Sequence, residues 1–161
     1  MSTEEERAKV RELIDDIRIG MITNLDHSEG RLVSRPMAVQ EVEDDGTLWF
    51  FTSETAPKAD QIDADPLVNV AFASRGAWVS LAGRAVIVDD RVKIHELWNS
   101  AAEAWFPDGP DSPDVGLLRV DPDSAEYWDS PGGKIASAIA YAKAKVTGSR
   151  PDVGESDVVE L

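Results

Sequence analysis

The sequence predicts an α+β fold in which closely spaced antiparallel strands form a barrel flanked by helices. Short apolar stretches with strand character follow one another and are separated by turn signals. Helical periodicity occurs at both ends of the chain and in two stretches between the strands, with no internal repeat and no second core. The chain of 161 residues has the usual size of one compact domain.

The first element is predicted to be an amphipathic helix. Ser2 or Thr3 can cap its start, and Glu5 or Glu6, three residues later, completes a capping box. The helix is expected to end at 16–18, where the pattern changes. Its apolar stripe consists of Val10, Leu13, Ile14 and Ile17.

Most of the remaining chain is predicted to form strands. Pro36 lies inside the second strand and cannot donate a ladder hydrogen bond, so it marks an edge, a bulge or an opening of the sheet. The Asp44-Asp45-Gly46 turn is a strong hairpin signal. The predicted strands cover residues 19–25, 31–43, 48–52, 68–72, 78–88, 115–120 and 124–128.

Three further helices are predicted. Pro57 opens a short one that continues to about Ala64, because proline suits the first helical turn. A helical face spans 94–105, and a last helix within 134–150 carries Lys134, Lys143 and Lys145. Residues 1–150 therefore form one domain, and the acidic residues 151–161 are expected to be a mobile tail.

Composition excludes several classes of function. The formal charge of −15 disfavours nucleic acid and anionic membranes as partners. The absence of cysteine excludes disulfides, thiolate metal sites and cysteine nucleophiles. The N-terminus does not resemble a signal peptide and no apolar run is long enough to span a membrane, so a cytoplasmic protein is expected.

The stretch 49–58, WFFTSETAPK, is a candidate phosphate site. It combines a strand, a hydroxyl-rich turn and the start of a helix that carries Lys58 in its first turn. Free helix amides, the hydroxyls of Thr52, Ser53 and Thr55, and the lysine cation together suit a phosphate. The alternative is that Ser53 or Thr55 caps the helix and Lys58 is solvated.

Arg35, in the stretch Ser34-Arg35-Pro36-Met37, is the second candidate. An arginine on an otherwise apolar strand, beside a proline that interrupts pairing, can bind an anion bidentately in a cleft. The alternative is a surface ion pair at a sheet edge. Arg35 and Lys58 flank one hairpin, so the two cations can meet at one ligand.

No catalytic residue or metal site is evident from sequence. His27 and His95 lack a neighbouring nucleophile or second metal ligand, and no serine elbow, dinucleotide fingerprint or metal-binding helix is present. The five tryptophans are expected to be core or interface residues, although some can wall a planar ring. A bound cofactor is the simplest source of any reactivity.

These motifs resemble those of a known family. SRPM, LWFFTS with a lysine shortly after it, DPLVNV, WVSLAGRA, ELWN followed by WFP, and SAEYWDSP occur in this order. Together they resemble the general stress protein 26 group of the pyridoxamine 5′-phosphate oxidase-like, FMN-binding split-barrel superfamily. The resemblance covers the chain nearly end to end.

The resemblance implies a six-stranded antiparallel split barrel that forms a homodimer and holds flavin mononucleotide (FMN) between its subunits. It implies that Lys58 and Ser53 hold the phosphate, and that Trp105, with Phe106, contacts the flavin from the second subunit. The other residues that it places along the flavin are Arg35, Pro36, Met37, Phe50, Phe51 and Thr52.

The resemblance leaves the activity open. An FMN-dependent oxidoreductase and a non-catalytic protein that sequesters or senses flavin are both compatible with it, as is a split barrel that uses deazaflavin F420 or haem. The acidic chain disfavours F420, whose polyglutamate tail needs a basic groove. Oxidation of vitamin B6 is not implied, because the chain lacks the longer C-terminal segment of the true pyridoxamine phosphate oxidases.

Overall fold

The computed structural model describes residues 3–129, 145–146, 148 and 155–161. Within them the fold is α+β, with four helices and eight antiparallel strands. The helices are α1 (Glu4–Ile17), α2 (Pro57–Ala64), α3 (Arg91–Leu97) and α4 (Ser100–Trp105). The strands are β1 (Ile19–Asp26), β2 (Arg31–Ala38), β3 (Glu41–Val42), β4 (Leu48–Ser53), β5 (Leu67–Ala73), β6 (Ala77–Val88), β7 (Val115–Asp129) and β8 (Glu155–Glu160).

Helix α1 begins as the sequence predicts. The Thr3 side chain accepts a hydrogen bond from the Glu6 N–H, and the Glu6 side chain accepts one from the Thr3 N–H, which completes the capping box. Val10, Leu13 and Ile14 are buried and Ile17 packs beside them, so the predicted apolar stripe is the face that packs against the sheet.

The sheet curves because one extended segment of the chain supplies the strand at each of its two edges, β2 and β3. The strand order is β2-β1-β5-β6-β7-β4-β3, and only residues 39–40 separate β2 from β3 along the chain. The Val39 N–H bonds to the Arg18 carbonyl at 2.7 Å, whereas the next amide, of Gln40, bonds to the Trp49 carbonyl at 2.8 Å. The predicted strand over 31–43 is therefore divided at the point where the sheet opens, and Pro36 lies on an edge strand.

The main core fills the curved sheet. Its members come from α1, from α2 and from the inward positions of the strands; the strand members include Ile22, Phe50, Val70 and Leu118, each of them fully buried. A second, smaller cluster lies on the outer face of β4, where Trp49 and Leu117 pack against Ile94 of α3. Thus β4 is covered on both faces.

The helical stretch over 94–105 is two helices rather than one. Trp98 and Asn99 adopt extended backbone conformations, and the Asn99 side chain accepts a hydrogen bond from the Ala102 N–H, which starts α4. Asparagine is among the best residues for this capping role, and here it outweighs the continuous apolar pattern.

The predicted pair of strands over 115–120 and 124–128 is the single long strand β7. The register against β6 shifts between Ala82 and Gly83, so that Gly83 pairs with Pro122 and Asp123 is the extra residue. A Cβ at Gly83 would collide with the Asp121 backbone, so a glycine is required there. This bulge lets β7 continue through Pro122.

Residues 155–160, which the sequence assigned to a mobile tail, form β8 and pair with the second half of β7. Val159 is fully buried in the main core, and burial of this side chain supplies a reason for the strand to form. The resemblance implies six strands, whereas the described residues form eight, because the predicted second strand is divided into β2 and β3 and β8 is an addition. Most of the predicted last helix lies outside the described residues.

This arrangement predicts that Val159→Ala destabilises the protein by about 2 kcal/mol, because two buried methyl groups are lost and a cavity remains. Val158, the neighbour on the opposite face of β8, is 60% exposed. Val158→Ala is therefore the matched control and is expected to change the free energy of unfolding by less than about 0.5 kcal/mol. Urea unfolding of both variants is the measurement, and equal effects would contradict the assignment of β8.

Among the described residues, no helix combines the length and the apolarity that crossing a membrane requires.

Candidate functional site

Arg35 and Lys58 lie close together where the sheet opens. Arg35 is on the inward face of β2 and Lys58 is in the first turn of α2, which packs against β1 and β6. The Lys58 Nζ atom is 3.1 Å from the Met37 Sδ atom, and Met37 is the next inward residue of β2 after Arg35. The structure therefore brings three of the predicted site residues together.

Lys58 is a buried cation. Its side chain is 7% exposed, and burial lowers its pKa to about 8, with the Arg35 charge as the second cause. Among the described residues, no carboxylate lies within ion-pair distance of Lys58, whose polar contact is the weak acceptor Met37. The predicted alternative of a solvated lysine is wrong.

Arg35 is held by amides. Its Nη1 atom donates to the Asn24 Oδ1 atom at 2.8 Å, and its Nη2 atom donates to the Gln61 Oε1 atom at 3.3 Å. Neither partner is charged, so the alternative of an ion pair at the sheet edge finds no support among the described residues. Two neighbouring cations thus lack a carboxylate partner among the described residues, in a protein with a net charge of −15.

Thr52 adds a buried hydroxyl to this region. Its Oγ1 atom is inaccessible to solvent and finds no hydrogen-bond partner within the described parts of the chain. Thr52 lies on the same face of β4 as Leu48 and Phe50, which belong to the main core that Met37 also contacts. Because buried hydroxyls are usually paired, this one suits a hydrogen bond to a ligand.

The hydroxyls of Ser53 and Thr55 are engaged elsewhere. Both donate to the Asp114 Oδ1 atom, at 2.6 and 2.7 Å. These two hydrogen bonds, that of Ser53 first, hold the pKa of Asp114 below its ordinary value. The residue at the N-cap of α2 is Ala56, so neither hydroxyl caps the helix, in contrast to the predicted alternative.

The two phenylalanines of β4 are packing residues. Phe50 is fully buried in the main core, and Phe51 makes an edge-to-face contact with Trp98 in the second cluster. The backbone N–H and C=O groups of Phe50 and Phe51 point in opposite directions, because successive residues of a strand form their hydrogen bonds to opposite sides. The Trp49 carbonyl bonds to Gln40 on the side away from β7, so the N–H and C=O groups of Phe51 point to that side as well, beyond the end of β3.

Pro36 and Trp105 are exposed on other surfaces. Pro36 lies on the outward face of β2, opposite to Arg35 and Met37. Trp105, the last residue of α4, is 83% exposed, which makes its ring available to another molecule.

Sequence reasoning missed Asn24, Gln61 and Asp114. Asn24 is a polar residue at an inward position of β1, directly after the inward Ile22, and this is a signal that could have identified it. Gln61 lies three residues after Lys58 and therefore on the same face of α2. Asp114 gave no signal, because only the fold brings it to the turn after β4.

A separate cavity of about 460 Å³ lies between α1 and the β5–β6 turn, where Leu13 and Ala77 are among its lining residues. It contains none of the predicted site residues, and its two carboxylates, from Asp16 and Asp129, do not suit an anion. Within the described ranges, no three metal-ligating side chains come together. The electrostatics therefore favour the region around Arg35 and Lys58.

The chain resembles known proteins over most of its length. A family model described as pyridoxamine 5′-phosphate oxidase like matches residues 5–152. Protein bli-3 of Neurospora crassa is 32% identical, with 86% of this chain and 71% of that protein covered. General stress protein 26 of Bacillus subtilis is 28% identical, with 81% and 93% covered.

Solved structures give the same result. A crystal structure assigned to general stress protein 26 of a Jannaschia species superimposes with a TM-score of 0.78 and 30% identity, covering 99% of this chain and all of the other. The general stress FMN/FAD binding protein of Xanthomonas citri superimposes with a TM-score of 0.69 and 29% identity, covering 79% of this chain and 90% of the other.

Proposed function

Because the chain belongs to the pyridoxamine 5′-phosphate oxidase-like family, we propose that it binds FMN, with the flavin's phosphate between Lys58 and Arg35. The pair of cations without a carboxylate partner among the described residues carries this proposal. A phosphate monoester has a charge close to −2 at neutral pH, which matches two adjacent cations. The Xanthomonas citri neighbour, called an FMN/FAD binding protein, supports a flavin as the ligand.

The remaining polar groups of the region suit the rest of the molecule. The Thr52 hydroxyl is a buried group in need of a partner, and the Phe51 backbone offers a donor and an acceptor at the open edge of β4. A flat heteroaromatic ring with donors and acceptors along one edge can pair with such a strand edge. The Ser53 hydroxyl is already donated to Asp114, so Ser53 would contribute its backbone N–H.

The direct test is a titration of the purified protein with FMN, followed by the quenching of flavin fluorescence. Protein that is yellow on purification and releases a flavin on denaturation would support the proposal. Absence of quenching at micromolar FMN, with protein shown to be folded by circular dichroism, would refute it.

We further propose that the protein is a homodimer that pairs through the outer face of β1, β2 and β5. Each strand has four outward positions on this face, and none of these residues is charged although 29% of the chain is. Met21 lies at its centre, between Pro36 and Ala71. An uncharged face of this extent favours burial against a second copy.

An oxidoreductase is the activity that FMN would support. A bound flavin supplies the transfer of electrons from a donor to an acceptor, and this chain's contribution is to bind and orient it. His27 and His95 pair with Asp65 and Asp111 and do not contact Arg35 or Lys58, so no acid–base role is assigned to them. Anaerobic stopped-flow mixing with NADH or NADPH tests the activity. Failure of both donors to reduce the flavin would favour a flavin-binding protein without turnover.

FMN affinity is expected to fall as pH rises above about 8. The free site has a Lys58 pKa of about 8, and a bound phosphate favours the protonated lysine, so binding above this pH must also take up a proton. Above this pH, FMN affinity should fall by close to tenfold for each pH unit. Titrations with FMN between pH 6.5 and 9.5 measure it.

Lys58→Arg is the control for this pH dependence, because an arginine stays charged throughout the range. Its profile should be flat above pH 8, whatever its absolute affinity. A profile of the variant that falls as steeply as that of the unmodified protein would assign the titration to another group.

A further inference from the structure

Arg35 is held differently from the five arginines that form ion pairs among the described residues. In five other cases among the described residues, the arginine pairs with a carboxylate; the pairs are Arg11–Glu4, Arg18–Asp15, Arg31–Glu29, Arg91–Asp89 and Arg119–Asp121. Arg35 is held by two side-chain amides instead. In a chain with 31 acidic residues, an arginine held by two neutral side chains calls for an explanation.

The amides form a closed triangle of hydrogen bonds. The Asn24 Oδ1 atom accepts from Arg35, the Asn24 Nδ2 atom donates to the Gln61 Oε1 atom at 2.9 Å, and the same Gln61 atom accepts from Arg35. Three elements, β1, β2 and α2, are thereby joined at Arg35. Two of the five guanidinium N–H groups serve as anchors, which leaves the others for a ligand.

Asn24 occupies a position where a polar side chain is energetically unfavourable. It is 1% exposed on the inward face of β1, where Ile22 and Asp26 are the neighbouring inward residues. A buried amide destabilises a protein unless its hydrogen bonds are satisfied. Here the Asn24 Oδ1 atom accepts from Arg35 and the Asn24 Nδ2 atom donates to Gln61. The residue therefore positions the arginine and does not add apolar packing to the core.

We infer that Asn24 and Gln61 form a neutral clamp that orients the Arg35 guanidinium without cancelling its charge, and that this clamp makes the site select phosphorylated over unphosphorylated flavin. A carboxylate at either position would hold Arg35 more tightly and neutralise it. Amides hold it in place and leave the positive charge for the phosphate. Asn24 and Gln61 are thus positioning residues that determine specificity, and the inference rests on the proposed function.

The test compares FMN with riboflavin, which is the same flavin without the phosphate. Asn24→Asp and Gln61→Glu each add a carboxylate of unchanged shape beside Arg35, and each is expected to weaken FMN binding by about tenfold or more while riboflavin affinity changes less than about twofold. Gln61→Met removes one arm of the clamp without adding charge and should have a smaller effect. Asn99→Asp, at the start of α4, is the control for the change in net charge, because aspartate also caps a helix well.

The ratio of the two affinities is the decisive quantity, since damage to the fold would lower both. Equal losses for FMN and riboflavin, or an unchanged FMN affinity, in Asn24→Asp and Gln61→Glu would overturn the inference. Gln61 is only half-buried, so Gln61→Glu decides the matter if Asn24→Asp does not fold.

A titration with inorganic phosphate, followed by NMR, separates this inference from the proposed function. If the unmodified protein binds neither flavin, the proposed function fails. Phosphate binding that the two acidic variants weaken and Asn99→Asp leaves unchanged would still support the clamp. Phosphate binding that all three variants leave unchanged, or absence of phosphate binding by the unmodified protein, would overturn it.

Discussion

Replacement of Lys58 by methionine is expected to weaken FMN binding by about 1.5–3 kcal/mol and to stabilise the flavin-free protein by about 0.5–2 kcal/mol. The loss of affinity follows from removal of a charge-assisted hydrogen bond to the phosphate. The gain in stability follows because the buried ammonium has no carboxylate partner among the described residues, and methionine fills a similar volume without a charge. Flavin fluorescence and urea unfolding measure the two effects.

Lys145→Met is the matched control for this change. Lys145 is exposed, so the same loss of charge there should alter stability by less than about 0.5 kcal/mol and leave FMN affinity unchanged. A flavin-free Lys58→Met protein that is less stable than the unmodified one would mean that Lys58 supports the fold, and the case for a ligand-binding cation would be lost.

The stability difference between Lys58→Met and the unmodified protein is also expected to depend on pH. The pKa of Lys58 is near 8 in the folded protein and close to the ordinary value of 10.5 in the unfolded chain. The penalty for burying its charge is therefore fully present below pH 8 and declines as pH rises from 8 toward 10.5. The gap between the two proteins should narrow across this window, and a gap that widens would contradict the assigned sign.

A charge at the centre of the outer face is expected to have an effect of similar size on assembly. Ala71 is exposed on β5 and pairs with Met21, so Ala71→Glu places a carboxylate in the middle of the uncharged face. Burial of an unpaired charge is unfavourable by several kcal/mol, and the dimer dissociation constant should rise at least about 100-fold. Analytical ultracentrifugation over a range of protein concentrations measures this.

The control for the assembly experiment is Val92→Glu on α3. Val92 is an exposed apolar residue outside the three strands that form the face, so the same added charge there should leave the dimer intact. The family resemblance implies that FMN lies between subunits, and on that basis Ala71→Glu is also expected to lower FMN occupancy. A monomeric variant with full FMN affinity would place the cofactor within one chain.

The local elements of this fold could be predicted because their signals are local. The capping box at Thr3 and Glu6 starts α1, and Pro57 and the Asp65-Pro66 pair set the limits of α2. The turn at Gly46, with a positive φ of 89°, joins β3 to β4 as the Asp-Asp-Gly signal indicates. Each of these choices depends on residues within four positions of one another.

Other elements were mispredicted because distant residues decide them. Strand β8 forms because Val159 enters a core built by strands earlier in the chain, and β7 stays continuous because Gly83 accommodates Pro122. Neither partner is visible in the local pattern of charge and hydrophobicity. The division of the 94–105 helix at Asn99 is different, since its capping signal was present but competed with a continuous apolar stripe.

The features of the candidate site also fall into two groups: those that the local sequence identified and those that only the fold revealed. Sequence alone identified Arg35 and Lys58 as exceptional cations, because an acidic chain that places a cation next to an apolar strand or at a helix start departs from its own pattern. Only the tertiary structure showed that Lys58 is buried, that amides hold Arg35, and that Asp114 takes the Ser53 hydroxyl. The physical reason is that the sequence determines the type of each charged group. Its desolvation and its hydrogen-bond partners depend on which strands the fold brings together.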